Sequence, residues 1–334
     1  IDPQVLEPEQ GRAIWRAGEL GIAEAESTLL ELLREQRGEP LRRYCIVWAL
    51  GRLGSEASIP MLRTLYESRS ERENIRALCA EALRRLYNAS DRRRFVEGLI
   101  DTLPQGLRQL AKEGDDEAFS AALAGQLQGN VTAELLSTLY LIDNEHTRLG
   151  FLEALATIPL DRKAHRWLRR LFKAAEFRND GRVFGILAWR IEKEGRSYLR
   201  LYDYFRRRIW RTLRTLGDDG EEQDFTRMAV GVLLPFSDDD GEQPRSMRFW
   251  DWRGSSRQVH WGPFASYWAF NQLLYQRSDR FHADSRRRSF RARRADSHDE
   301  RPSRREEAFP KLWDQVPMGL LHLLDESACA PVHH

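Results

Sequence analysis

Six arginines fall within residues 285–294 of this chain: Arg286, Arg287, Arg288, Arg291, Arg293 and Arg294, with Phe290 among them. Guanidinium groups at this density neutralise phosphates and gain affinity from released counterions, and an interleaved ring offers a face to a base. The stretch 277–307 holds eleven Arg against seven acids, so a solvated, charge-balanced loop is the competing reading. Either way, the composition predicts a mobile segment, too polar to pack. A second basic group has helical spacing. Arg200, Arg207, Arg211 and Arg214 lie 7, 4 and 3 residues apart, on one helix face. Leu199, Tyr202, Phe205, Ile209 and Leu213 take the opposite side. Arg162, Arg166, Arg169, Arg170 and Lys173 repeat the pattern, and neighbouring helices could align both stripes into one ridge. The bland alternative is an ordinary charged solvent face. Arg207, Arg211, Arg214 and the 286–294 group with Phe290 are the candidate contacts for a partner protein or a nucleic acid.

Other reactive side chains do not assemble. The eight His include no HxxxH pair and no Cys at ligand spacing. Asp238-Asp239-Asp240-Gly241 has the look of a calcium loop, but Phe236 stands at its first position and the closing Glu is missing. Gly217, Gly220 and Gly231 form no phosphate loop, and there is no Gly-x-Ser-x-Gly. No catalytic, metal or cofactor residue is assigned. The aromatic group Phe249, Trp250, Trp252, Trp261, Phe264, Tyr267, Trp268 and Phe270 reads as a packed cap rather than a stacking platform.

The elements that must position these residues are helices. Residues 13–33 read AIWRAGELGIAEAESTLLELL, and 46–66 read IVWALGRLGSEASIPMLRTLY. Shifted by 33, Trp15 falls on Trp48, Gly18 on Gly51, Gly21 on Gly54 and Leu29 on Leu62. A weaker third copy sets Ala82, Leu83, Arg85 and Leu86 on Ala49, Leu50, Arg52 and Leu53. A period of 33 is two helices and two turns, the unit of an α-solenoid. Helix pairs are predicted at 11–36, 40–67 and 71–100. Gly54 is the left-handed terminator of its helix, Ser55 the cap of the next, and Pro60 lies near that helix's first turn. Further helices are predicted at 104–113, 116–128, 131–142, 145–158, 161–177, 181–194, 197–216 and 221–235. Residues 237–258 read as a loop, 259–276 as an aromatic-rich helix, and the run after Trp313 as a final short helix or pair. Three regions result: 1–100, repeats; 101–236, degenerate helical repeats continuing the stack; 237–334, aromatic helix, Arg-rich segment (277–307) and last helix.

Residues 43–66 resemble a HEAT repeat, most closely the short type named after phycobilisome lyases. Trp48-Ala49-Leu50-Gly51, Leu53-Gly54 and Ser58-Ile59-Pro60-x-Leu62 carry the likeness; 13–33 and 76–86 carry less of it. Residues 175–194 and 261–275 are similar to the interior of large bacterial HEAT-repeat proteins. The resemblance implies an ARM/HEAT-like superhelix. Such repeats occur in scaffolds, regulators, nucleic-acid-associated proteins and lyases, so it leaves the function open.

The formal net charge is +2, yet residues 1–160 carry 19 basic and 25 acidic side chains and the rest 34 and 26. Only five of the 53 basic residues are Lys; Arg suits bidentate phosphate contacts but also follows from a GC-rich genome. No apolar run approaches a membrane span. Cys45, Cys79 and Cys329 show no pairing pattern, and a reducing cytoplasm is their natural setting. The first residue is not Met and the chain ends ACAPVHH; both ends read as cuts in a longer protein. The expectation is an all-α solenoid acting as a non-catalytic cytoplasmic scaffold for a partner protein or a neighbouring domain. A nucleic-acid-binding solenoid using the basic C-terminal half is the alternative. A lyase-like enzyme stands third, by analogy alone.

Overall fold

The 33-residue phrase folds as paired helices. The computed structural model describes residues 7–35, 40–127, 133–160, 164–194, 199–250, 255–286, 288–294, 297 and 300–333. The first repeats are α1 (Glu7–Glu19) with α2 (Glu26–Arg34), α3 (Pro40–Leu53) with α4 (Ile59–Glu67), and α5 (Glu73–Leu86) with α6 (Ala89–Ile100). Gly21 and Gly54 both adopt positive φ, at 62° and 78°, where a Cβ would be strained. Ser55 Oγ then accepts the Ala57 amide at 3.1 Å, and Pro60 sits in the first turn of α4, where its missing N–H costs nothing.

Repeat stacks on repeat through equivalent residues. The Trp15 and Trp48 rings stack with centroids 3.8 Å apart. A Cβ on Gly18 would lie 2.7 Å from the Ala49 Cα, and one on Gly51 would lie 2.7 Å from the Ala82 Cβ. The same 33-residue step thus relates both glycines and both alanines they touch. At the third step the glycine position holds Arg84, whose guanidinium reaches Asp143, Nη2 to Oδ2, at 3.5 Å. A long charged side chain cannot make the close helix approach, so the phrase ends there.

The chain divides into two compact units. The first comprises residues 1–154 and 166–177, and includes α7 (Gln105–Glu113), α8 (Asp116–Leu127), α9 (Ala133–Ile142) and most of α10 (Glu145–Thr157). It also includes residues 166–177 of α11 (Ala164–Arg178), which lie on the repeats themselves. Phe177 meets Trp48 edge-on at 6.5 Å, and Arg52 Nη1 donates to the Phe177 carbonyl at 3.1 Å. Tyr44 to Gly51 are all buried. A helix apolar all round must be covered all round, and α11 supplies the side that the neighbouring repeats leave open.

The second unit comprises residues 155–165 and 178–334. Its helices are α12 (Gly181–Glu194), α13 (Leu199–Asp219) and α14 (Glu222–Leu233). α12 and α14 meet at glycine: a Cβ on Gly231 would fall 1.9 Å from the Gly181 carbonyl oxygen. Buried Arg190 donates to the Leu155 and Ile158 carbonyls at 2.7 and 2.6 Å, satisfying orphan acceptors at the end of α10.

Beyond α14 the sequence reading needs correction. The expected loop at 237–258 contains β1 (Arg245–Trp250) and the start of β2 (Ser256–Trp261). The expected aromatic helix begins only at α15 (Trp268–Tyr275). The Arg-rich stretch contributes β3 (Phe281–Asp284) and β4 (Ser289–Ala292), giving an antiparallel sheet of order β1-β2-β4-β3. Phe281, Phe290 and Ala292 pack on Trp268, with Trp210 and Tyr275 at the margin. In β4 alternation decides this: Phe290 and Ala292 are buried while Ser289 and Arg291 face outward, and one buried side chain in two is enough to fix a strand. The final pair is α16 (Pro310–Gln315) and α17 (Pro317–Glu326). The fold class is all-α helical repeats with an irregular C-terminal region carrying this small sheet.

Candidate partner-binding surface

α13 presents the arginines as their spacing predicts. Phe205, Ile209 and Leu213 are fully buried, and Arg207, Arg211 and Arg214 are exposed on the other side. Arg207 and Arg211 form no ion pair or hydrogen bond among the described residues. Arg214 lies 3.6 Å from Asp218, Nε to Oδ2, an exposed pair that water screens strongly. Beside them Arg208 Nη1 donates to the Tyr204 hydroxyl at 3.0 Å. Arg200, at the start of the stripe, has a side chain outside the described residues.

The β3–β4 hairpin meets this helix. Arg288, in left-handed conformation at φ 47°, pairs with Asp203 of α13. Asp203 is one turn before Arg207, so the hairpin and the stripe share a neighbourhood that sequence spacing does not reveal. Arg286 is exposed at the turn. The other arginines are engaged: Arg291 with Asp284, Arg293 Nε with His282 Nε2 at 2.8 Å, and Arg294 with Glu300 at 3.1 Å. Arg287 lies outside the described residues. Phe290 is a correction. Its ring is 3% exposed and 5.7 Å from that of Trp268, so it is core and no face is open to a base.

The second stripe is also corrected. Arg166 pairs with Glu73 at 2.6 Å and approaches Glu134 at 3.7 Å; Arg170 pairs with the same two acids. Lys173 stands over the Tyr44 ring at 4.5 Å. These charges fasten residues 166–177 of α11 to the first unit; of the stripe's described members Arg169 alone is exposed with no ion pair among the described residues. Arg162 lies outside the described residues.

The aromatic group divides. Trp261, Phe264, Tyr267, Trp268 and Phe270 are buried, as a packed cap requires. Trp250 is 67% exposed, and Trp252 lies outside the described residues. Asp240 accepts from Trp189 Nε1 at 2.9 Å and from Lys193 at 2.5 Å. Those bonds hold its carboxyl below the usual range despite burial. It is a fastening for the turn at Asp238–Asp240. Among the described residues no group of three His, Cys, Asp or Glu could hold a metal ion. No helix is long and apolar enough to cross a membrane.

The profile of the family described as HEAT repeats matches residues 7–84. Residues 7–84 are HEAT repeats. The matched span covers α1 to α4 and nearly all of α5, the helices that stack through Gly18 and Gly51. The match is to HEAT repeats in general and does not single out the phycobilisome-lyase type. No curated protein and no solved structure matches the chain. In the HEAT array the Trp48 and Gly51 face is occupied by Phe177 of α11.

Proposed function

We propose that the protein is a non-catalytic interaction scaffold that binds a partner protein, working in a reducing, cytoplasmic setting. The observation that carries this is the HEAT array itself, a repeat type used generally for protein association. The three cysteines are buried free thiols, in keeping with that setting. The contact surface is the exposed face of α13, Arg207, Arg211 and Arg214, with Arg286 at the neighbouring turn. Two unpaired guanidinium groups one turn apart suit carboxylates, which they grip bidentately. The partner is therefore an acidic segment of another protein or of a neighbouring domain. Nucleic acid is the weaker reading, because Phe290 is core and Arg288, Arg291 and Arg294 already face carboxylates.

The test is a titration. A labelled Asp/Glu decapeptide should bind at physiological salt, and Arg207→Glu/Arg211→Glu/Arg214→Glu should weaken it about tenfold or more. A labelled thymidine decamer should bind no tighter than about 10⁻⁴–10⁻⁶ M, the non-specific range. Tighter decamer binding, lost in the same variant, would overturn the protein reading.

A further inference from the structure

β1 differs from every other strand of the sheet. It is an edge strand, paired to β2 on one side, and its other side faces no strand among the described residues. It spans six residues, and all but Phe249 are exposed. The opposite edge is shorter and guarded: β3 has four residues, Asp284 is tied to Arg291, and His282 to Arg293. On β1 the exposed side chains include Met247 at 54% and Trp250 at 67%. Register puts Ser246, Arg248 and Trp250 on one face, and Arg245, Met247 and Phe249 on the other. The strand carries two arginines and no acid. The Arg245 guanidinium lies 5.2 Å from the centroid of the buried Trp261 ring, which holds it beside the strand. Arg248 makes no ion pair among the described residues.

An open edge strand is a template for another strand, and proteins usually blunt such edges. Two charges of one sign discourage a second copy of this chain. They do not discourage an acidic one, and two large apolar side chains on opposite faces give alternate residues of an incoming strand something to cover. We propose that β1 receives an extended acidic segment of a partner protein as a fifth, added strand. Main-chain hydrogen bonds supply affinity, Arg245 and Arg248 select acidic side chains, and Met247 and Trp250 accept apolar ones. This site is independent of the α13 stripe, and variants of either leave the other in place.

The experiment titrates the full chain with a labelled, end-capped octapeptide of repeating Val-Val-Glu-Glu, which puts both residue types on each face of a strand. Two controls share its length: a Val/Lys octapeptide, and the Val/Glu octapeptide with alternate amides N-methylated, which removes backbone donors and keeps charge. Binding of the Val/Glu peptide is expected, with about tenfold or greater loss on N-methylation and the same loss with Val/Lys. The variant Arg245→Glu/Arg248→Glu should invert the preference, binding Val/Lys over Val/Glu. Its helix signal and urea midpoint should match the parent, since both side chains are on the surface. Arg207→Glu/Arg211→Glu/Arg214→Glu should leave octapeptide binding unchanged, so failure here and failure of the α13 reading give different results. No binding at about 1 mM peptide, equal binding of the N-methylated peptide, or a thymidine decamer competing for the same site would overturn the proposal.

Discussion

Glu192 of α12 is fully buried, and its Oε1 accepts the Ala269 amide in the first turn of α15 at 2.8 Å. Burial is the largest influence and raises its pKa from 4.5 to about 7. The Arg206 charge and the amides of Trp268, Ala269 and Phe270 pull the other way and lose. The sign follows. The folded state holds the proton more tightly than the unfolded chain, so this group makes the fold less stable as pH rises from about 4.5 to about 7. Above that the loss is complete, at most about 3 kcal/mol for a shift of this size. Glu192→Gln keeps an acceptor for α15 and removes the charge. Its urea midpoint should exceed the parent's at pH 8 and converge with it near pH 4.5. Parallel pH profiles for the two proteins would show that Glu192 is not the titrating group. Nothing in the sequence marks this residue. Glu192 is one acid in a charged helix end, and its burial depends on α15 arriving from 77 residues away.

Among elements, the helices of both units were legible because apolar spacing and glycine terminators are local signals. α12 occupies the predicted span, and α3 to α6 lie within the predicted pairs. Two element-level features needed more. The run Tyr44 to Gly51 is apolar without a break, which announces cover on every side but not that α11 provides it. The hairpin of β3 and β4 is faint in the sequence because its arginines hide the pattern: Ser289-Phe290-Arg291-Ala292 alternates outward and inward, a weak signal over four residues. In sequence Gly231 shows only that it belongs to no phosphate loop, yet with Gly181 and Gly185 it sets the α12–α14 spacing. Gly231→Ala would place a methyl carbon against the backbone oxygen of Gly181, which cannot rotate away. The helices must separate, and overpacking of this kind costs about 1–3 kcal/mol or more. A urea midpoint equal to the parent's would mean that α12 and α14 do not meet at these glycines.

For the whole molecule, two kinds of charged surface emerge. Some arginines are structural: Arg166 and Arg170 fasten α11, and Arg190 closes the end of α10. Others, Arg207 and Arg211 above all, pair with no group among the described residues, and composition alone could not sort the two classes. The proposed role of the second class is to recognise a partner protein. The most direct measurement immobilises the full chain and its Arg207→Glu/Arg211→Glu/Arg214→Glu variant, and compares what each retains from lysate of the source cells, with and without nuclease, by quantitative mass spectrometry. The account predicts a small set of proteins with acidic segments, retained about tenfold more by the parent and unaffected by nuclease. Equal retention by both chains, or retention that disappears with nuclease, would contradict it.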